Sequence, residues 1–264
     1  MDKLQGKGSF LMEEKIKDGD KSLAKLFEII EAVGGTRGGM KGRDIAEKTG
    51  YPVSTTFRML KFLAERGYLR SESSVYTLGP GLIRLGSIAS SQNPLLRISR
   101  PFLEELSGKT METVHLAELH NDSVVYIDKV EGSRSVRMIS LIGSRGPLYC
   151  TGVGKVILAH LPENRLDPLL DGMVLTPYTR HTIRSKKQLR KNLEAIRRQG
   201  YAVDDCEHEL GVFCIAAPIL DYSGNIVAGI SISGSELYLR PRLSDLALLV
   251  RETAREISLE FSRK

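Results

Sequence analysis

Ser54, Thr55, Arg58 and Lys61 place short hydroxyls and long cations at spacings that share one face of a helix. That face suits the major groove of DNA, where hydroxyls and guanidinium groups bond base edges and cations meet phosphates. Lys41 and Arg43 lie just upstream and bring two more cations toward phosphate oxygens. Farther along, Gly146-Pro147-Leu148-Tyr149-Cys150-Thr151-Gly152-Val153-Gly154-Lys155 opens an apolar helix. A glycine-rich turn there points free backbone N–H groups at one small anion, or it is a plain tight turn. A third group is Ser231 and Ser233, which period two puts on one face of a strand, with Ile230 and Ile232 on the other.

The first set needs a scaffold, and the flanking residues supply one. Leu23, Leu26, Phe27, Ile30 and Val33 form a helical stripe that Ser22 is placed to cap. Two short helices follow, 42–49 and 53–66. Ala46 is the small residue where they cross, Gly50 supplies the positive φ of the turn, and Pro52 sits ahead of the second helix. In that helix Thr56, Met59, Leu60 and Leu63 point inward, and Phe57 at the edge of the polar face is expected to pack on a neighbouring element. Strand-like runs at 67–70 and 75–78 are joined by Ser71-Glu72-Ser73-Ser74, a hairpin with a four-residue loop. Between Arg37 and Arg70 eight basic residues face three acidic ones, most of the chain's net charge of +6. A winged helix-turn-helix that binds double-stranded DNA follows from that context.

The rest of the chain mixes strands and helices without regular alternation, which makes the fold class α+β. Strands are expected at 113–119, 124–130, 136–141, 214–220 and 226–233, and helices at 82–92, 95–106, 154–161, 186–199 and 242–262. The domain plan is a flexible extension over 1–20, the winged domain over 21–81, a linker helix over 82–94, and a ligand-binding domain over 95–264. With 264 residues, 41% hydrophobic and 27% charged, the chain is long enough for two folded domains. The longest apolar run, 212–220, is broken by Pro218 and is too short to cross a bilayer. Three cysteines, Cys150, Cys206 and Cys214, show no disulfide spacing, as suits a reducing cytoplasm. A cysteine hydrolase using Cys206 or Cys214 with His208 lacks a nucleophile turn. A metal site on Cys206, His208 and Cys214 lacks paired spacing and a fourth ligand. Neither is expected, nor is a cofactor, and His115 and His120 are read as strand and turn residues.

From Gly200 to Asp221 the residues fit Gly-x3-Asp-x2-Glu-x6-Cys-aliphatic-small-x2-aliphatic-aromatic-Asp, with Leu220 in place of the aromatic residue. That pattern resembles the C-terminal signature of the IclR family of transcription regulators. The resemblance runs from Ser22 to the last helix and includes Ser54-Thr55-Thr56-Phe57-Arg58 and Ile127-Asp128-Lys129-Val130. It implies a dimerising linker helix, a GAF-like effector domain, and a dimer or tetramer on palindromic operators. It also implies a repressor released by a metabolite, with activation as the alternative. The family's pocket residues fall on Gly152, Val153, Asp204, Cys214, Ser231 and Ser233, with Gly146 and Val212 beside them. Backbone N–H groups at Gly152 and Val153 would hold a carboxylate, and Asp204 would accept from a ligand hydroxyl or orient the pocket. The Pro147-Leu148-Tyr149-Cys150 variant is similar to members that sense sugar acids such as 2-keto-3-deoxygluconate.

Overall fold

A computed structural model describes residues 21–134 and 140–263. The chain divides into two compact units between Asn93 and Pro94. Proline explains the break: it removes an N–H and forces the preceding residue out of the helical region, and Asn93 is extended at φ −93° and ψ 107°.

The first unit contains α1 (Lys21–Gly34), β1 (Met40–Lys41), α2 (Gly42–Thr49), α3 (Val53–Glu65), β2 (Leu69–Glu72), β3 (Val75–Leu78) and α4 (Pro80–Gln92). The strands form a small antiparallel sheet in the order β1-β3-β2. Ile29, Val33, Ile45, Met59, Leu60, Leu63 and Leu69 make its core. Three expectations change here. Helix α1 already includes Lys21, so Ser22 lies inside it and is no cap. The buried stripe runs through Ile29 and Val33, while Leu23 and Phe27 are each 59% exposed. The hairpin loop is two residues long, not four, because Ser73 and Ser74 both adopt positive φ, 48° and 65°. That geometry matches the right-handed strand twist but is normally signalled by Asn-Gly, which is absent here.

The second unit contains α5 (Pro94–Thr110), β4 (Thr113–His120), β5 (Ser123–Val130), β6 (Arg145–Pro147), α6 (Gly152–His160), α7 (Glu163–Gly172) and α8 (Lys186–Gln199). It continues with β7 (Ala202–Asp205), β8 (Val212–Leu220), β9 (Ile226–Ser235), a short α9 (Glu236–Leu239) and α10 (Leu243–Ser262). Six antiparallel strands in the order β6-β5-β4-β9-β8-β7 form one sheet with helices on both faces. Alternation decides the faces. Phe213, Ile215, Ile230 and Ile232 pack toward α5 and α10, whereas Ala202 and Ala216 pack toward α6, α7 and α8. The expected strand 136–141 lies mostly outside the described residues, and Ser140 and Leu141 are not strand. Helix α7 escaped the sequence because Pro162 precedes it and Pro168 lies within it.

Candidate functional site

In the first unit the helix-turn-helix is held by contacts that leave one face of α3 bare. Gly50 at φ 72° ends α2, and Thr56 donates its backbone N–H and its hydroxyl to the Pro52 carbonyl at 3.0 and 3.2 Å. The buried residues of α3 are Thr56, Met59, Leu60 and Leu63, the inward stripe expected. The Phe57 ring lies against Gly42, so close that a Cβ there would meet Cζ at 2.6 Å. Phe57 therefore locks α3 to α2. Ser54, Arg58, Lys61, Lys41 and Arg43 are exposed and Thr55 is half-buried. Lys61 meets Glu65 at 3.8 Å on the open surface, a pair weak enough to exchange for a phosphate. Lys48 instead donates to the Ala32 carbonyl at 3.2 Å and to Thr36 Oγ1 at 3.3 Å, tying α2 to the end of α1.

In the second unit the sheet register gathers residues from distant parts of the chain. Asp204 pairs with Cys214, Cys214 with Ser233, and Ser233 with Thr113, one rung across four strands. On the next rung Ala216 pairs with Ser231 and Ser231 with His115. The α6 N-terminus abuts this polar row, since a Cβ on Gly152 would stand 3.2 Å from Ala216 Cβ and 3.6 Å from Cys214 Cβ. Thr151 caps α6 by accepting the Gly154 N–H at 3.1 Å. Its hydroxyl in turn donates to the Pro147 carbonyl at 2.8 Å. The cap leaves the Gly152 and Val153 N–H groups without a partner among the described residues, at the positive end of the helix dipole.

Burial sets the protonation of this row. Desolvation pushes the Asp204 carboxyl up to about 7, against the pull of nearby Lys155. Asp204 Oδ1 accepts the backbone N–H of Glu207 at 2.8 Å and of His208 at 3.4 Å, so one oxygen shapes the turn that follows β7. Burial also pushes up the thiols of Cys150 and Cys214. His115, expected only as a strand residue, and Lys155 complete the surroundings. His115, pushed down to about 3 by burial and by Lys129, is a neutral imidazole. Its Nδ1 meets Ser233 Oγ at 3.3 Å, its Nε2 meets Ser140 Oγ at 2.6 Å, and its ring lies 5.2 Å from that of Tyr126. Lys155 is 1% exposed; its ammonium donates to the Val203 carbonyl at 2.6 Å and pairs with Glu207. Signals for both existed: His115 shares strand parity with Thr113, and Lys155 is a single cation among Val153, Val156 and Ile157.

The rival chemistries fare differently. Burial pushes the Cys206 thiol up too, and its Sγ donates to Glu236 Oε2 at 3.3 Å, not to a histidine. A nucleophile needs a lowered thiol pKa, so none of the three cysteines is activated. Among the described residues Cys206, His208 and Cys214 do not converge as ligands. The set that does is Asp205, Cys206 and Glu236, and the Arg240 guanidinium already spans its two carboxylates. No helix among the described residues is long and apolar enough to cross a membrane.

A winged helix-turn-helix followed by a helix-flanked sheet with a buried polar row is the build of an effector-responsive DNA-binding regulator. The comparisons identify which one. Residues 22–73 match the IclR helix-turn-helix domain, and residues 88–259 match the bacterial transcriptional regulator IclR C-terminal domain. The chain belongs to the IclR family of transcriptional regulators and is not an enzyme. It is 36% identical to the HTH-type transcriptional regulator KdgR of Escherichia coli K12 over 251 residues, covering 94% of this chain and 95% of that one. It is 34% identical over 255 residues to the HTH-type transcriptional repressor AllR of Salmonella typhimurium, covering 96% and 94% of the two chains. The Thermotoga maritima IclR crystal structure matches with a TM-score of 0.79 at 36% identity, covering 92% of this chain and 99% of that one.

Proposed function

We propose that this regulator is a cytoplasmic repressor whose grip on a palindromic operator is set by a small carboxylate of the sugar-acid class. Ser54 and Thr55 in the first turn of α3 and Arg58 one turn on read base edges, and Lys41, Arg43 and Lys61 meet phosphates. The effector carboxylate sits at the Gly152 and Val153 N–H groups, and Ser231, Ser233 and Cys214 line the pocket with Asp204 behind them. The observation that carries this is the pairing of free helix-terminal N–H groups with a buried rung of polar side chains, on a sheet whose other face is apolar. The polar character of that row favours a hydroxylated acid over a flat apolar one. The similarity to a regulator named KdgR and a repressor named AllR supports the class and the sign of control.

Self-association through the first unit is part of the same proposal. Helix α4 has no buried residue, and Ile83 is 76% exposed, with Leu85 and Ile88 above 40%. A helix with apolar side chains left exposed among the described residues fits a second copy. A dimer presents two recognition helices to successive half-sites, and effector binding changes their spacing.

A thermal-shift screen with D-gluconate, 2-keto-3-deoxygluconate and pyruvate tests the pocket, because a ligand at a hundred times its Kd adds about 2.7 kcal/mol. The same acid must lower operator affinity in an anisotropy titration. Gly152→Val, which presses on Cys214 and Ala216, should abolish both responses. Stabilisation by none of these acids, or an operator affinity that ignores a bound acid, would sink the proposal.

A further inference from the structure

Helix α8 carries more charge than its packing uses. Residues 180–198 hold eight basic side chains and one acidic one, Glu194, a local charge of +7 in a chain whose net charge is +6. Leu189, Leu193 and Ile196 bury one side of the helix. Two of the arginines are occupied by neighbouring helices. Arg190 pairs with Asp167 and Glu163 of α7, and Arg197 meets Glu163 at 3.7 Å and donates to the Ala159 carbonyl of α6 at 2.6 Å. Lys186 donates to the Asp171 carbonyl at 2.6 Å, and Arg180 to His181 Nε2 at 3.1 Å. On the side away from the core Lys187, Lys191 and Arg198 share one helical stripe, with Glu194 between the last two. All four are exposed, and among the described residues none has an ion-pair partner.

The shape of the stripe selects its occupant. From Lys187 to Arg198 it runs about 16 Å, too far for one small anion to reach its three cations. A duplex offers a phosphate about every 3.4 Å along each strand and can meet all three together. No aromatic or large aliphatic residue interrupts the stripe; Gln188 and Ala195 flank it on one side and the paired Arg190 and Arg197 on the other. A face that enters a lipid surface needs such apolar residues. DNA is also the polyanion that this chain already holds, and covalent joining to a DNA-binding unit keeps duplex at high effective concentration around the rest of the chain.

We propose that the outward face of α8 is a second DNA-contact surface, on which Lys187, Lys191 and Arg198 meet backbone phosphates. It adds affinity and salt dependence without sequence information, because phosphates are alike in every sequence.

Anisotropy titrations of the full-length protein with a random-sequence duplex at several KCl concentrations test it. Lys187→Gln, Lys191→Gln and Arg198→Gln together should weaken binding by about tenfold or more, and should flatten the slope of log affinity against log salt by about 2.7, the loss of three phosphate contacts. Glu194→Gln removes the one carboxylate on the stripe and should strengthen binding about twofold. Melting temperatures should stay at the wild-type value, since exposed side chains support no core. The triple change should act by the same factor in an Arg58→Ala background, because separate surfaces contribute additively. Wild-type affinity and salt slope for the triple variant would overturn the assignment. So would a triple variant that loses only its binding to poly-L-glutamate, which would give the face to an acidic protein.

Discussion

The two units hold their chemistry in opposite ways. In the winged unit Arg58 and Lys61 stand in solvent on a helix fixed from behind by Met59, Leu60 and Leu63. In the effector-binding unit Asp204, His115, Ser231 and Ser233 are each no more than 3% exposed and arrive from three separate strands. Recognition of a long polyanion needs side chains free to reach outward. Recognition of a small molecule needs polar groups already stripped of water and fixed in place. The first arrangement separates function from stability, and the second couples them. Substitutions in the two units should therefore fail differently.

The largest effect is expected where burial is deepest. Lys155→Ala leaves the Glu207 carboxylate buried beside Asp204 with no counter-charge, and should cost about 3–5 kcal/mol of unfolding free energy. Calorimetry should show the effector-binding unit melting roughly 10 °C lower. Lys155→Met with Glu207→Leu should recover most of the loss, since a matched apolar pair avoids desolvation altogether. A single variant as stable as the wild type would mean that the pair is solvated and that function and stability are only weakly coupled in this unit.

The same burial predicts opposed pH dependences. The Asp204 carboxyl is raised from 3.8 to about 7, so the native protein keeps a proton that the unfolded chain has released. Its contribution to stability falls as the pH rises from about 4 to 7, by up to about 1.4 kcal/mol per pH unit. His115 is lowered from 6.5 to about 3, so here the unfolded chain binds the proton that the native one refuses. Its contribution falls as the pH drops through the same range. Urea titrations between about pH 4 and pH 6.5 should show the Asp204→Asn difference from wild type growing more favourable with pH, and the His115→Asn difference growing less favourable. Parallel difference curves would contradict the assigned protonation states.

A smaller, cleaner effect is expected on the exposed side. Arg58→Ala should weaken operator binding by about 1–3 kcal/mol, roughly five- to 150-fold, if its guanidinium reads a base edge. It should leave thermal stability within about 0.5 kcal/mol of wild type, because an exposed side chain supports no core. A matched fall in stability would show that Arg58 belongs to the fold and not to the interface.

The same contrast explains what could be read from residue order alone. The inward stripe of α3, the Gly50 turn and the parity of Ser231 and Ser233 were legible because helix and strand periodicity act over a few residues. So was the span of α8, bounded by a Ser185 cap and a left-handed Gly200. The strand parity of His115 was legible but its contact with Ser233 was not, because that depends on β4 pairing with β9, strands more than a hundred residues apart. The Lys155–Glu207 pair joins α6 to the turn after β7 in the same way. Non-local register leaves little mark on local pattern. Leu23 and Phe27 misled for a related reason: they satisfy the helical stripe of α1 but stay exposed, so periodicity alone could not tell a core face from a face left open.

The tip of the wing gives the smallest effect and the most local test. Ser73 and Ser74 hold positive φ without the side chains that favour it, at a cost that asparagine and glycine largely avoid. Replacing them by Ser73→Asn and Ser74→Gly should stabilise the winged unit by about 0.5–1 kcal/mol. The relief of the left-handed backbone is partly offset by glycine's greater freedom in the unfolded chain. Both serines are exposed, so no packing changes with them. Chemical denaturation should show a higher midpoint with an unchanged slope. Operator affinity should stay constant if the tip only turns the chain. A loss of affinity alongside the gain in stability would show that the serine hydroxyls themselves touch DNA, extending the exposed recognition surface from α3 to the wing.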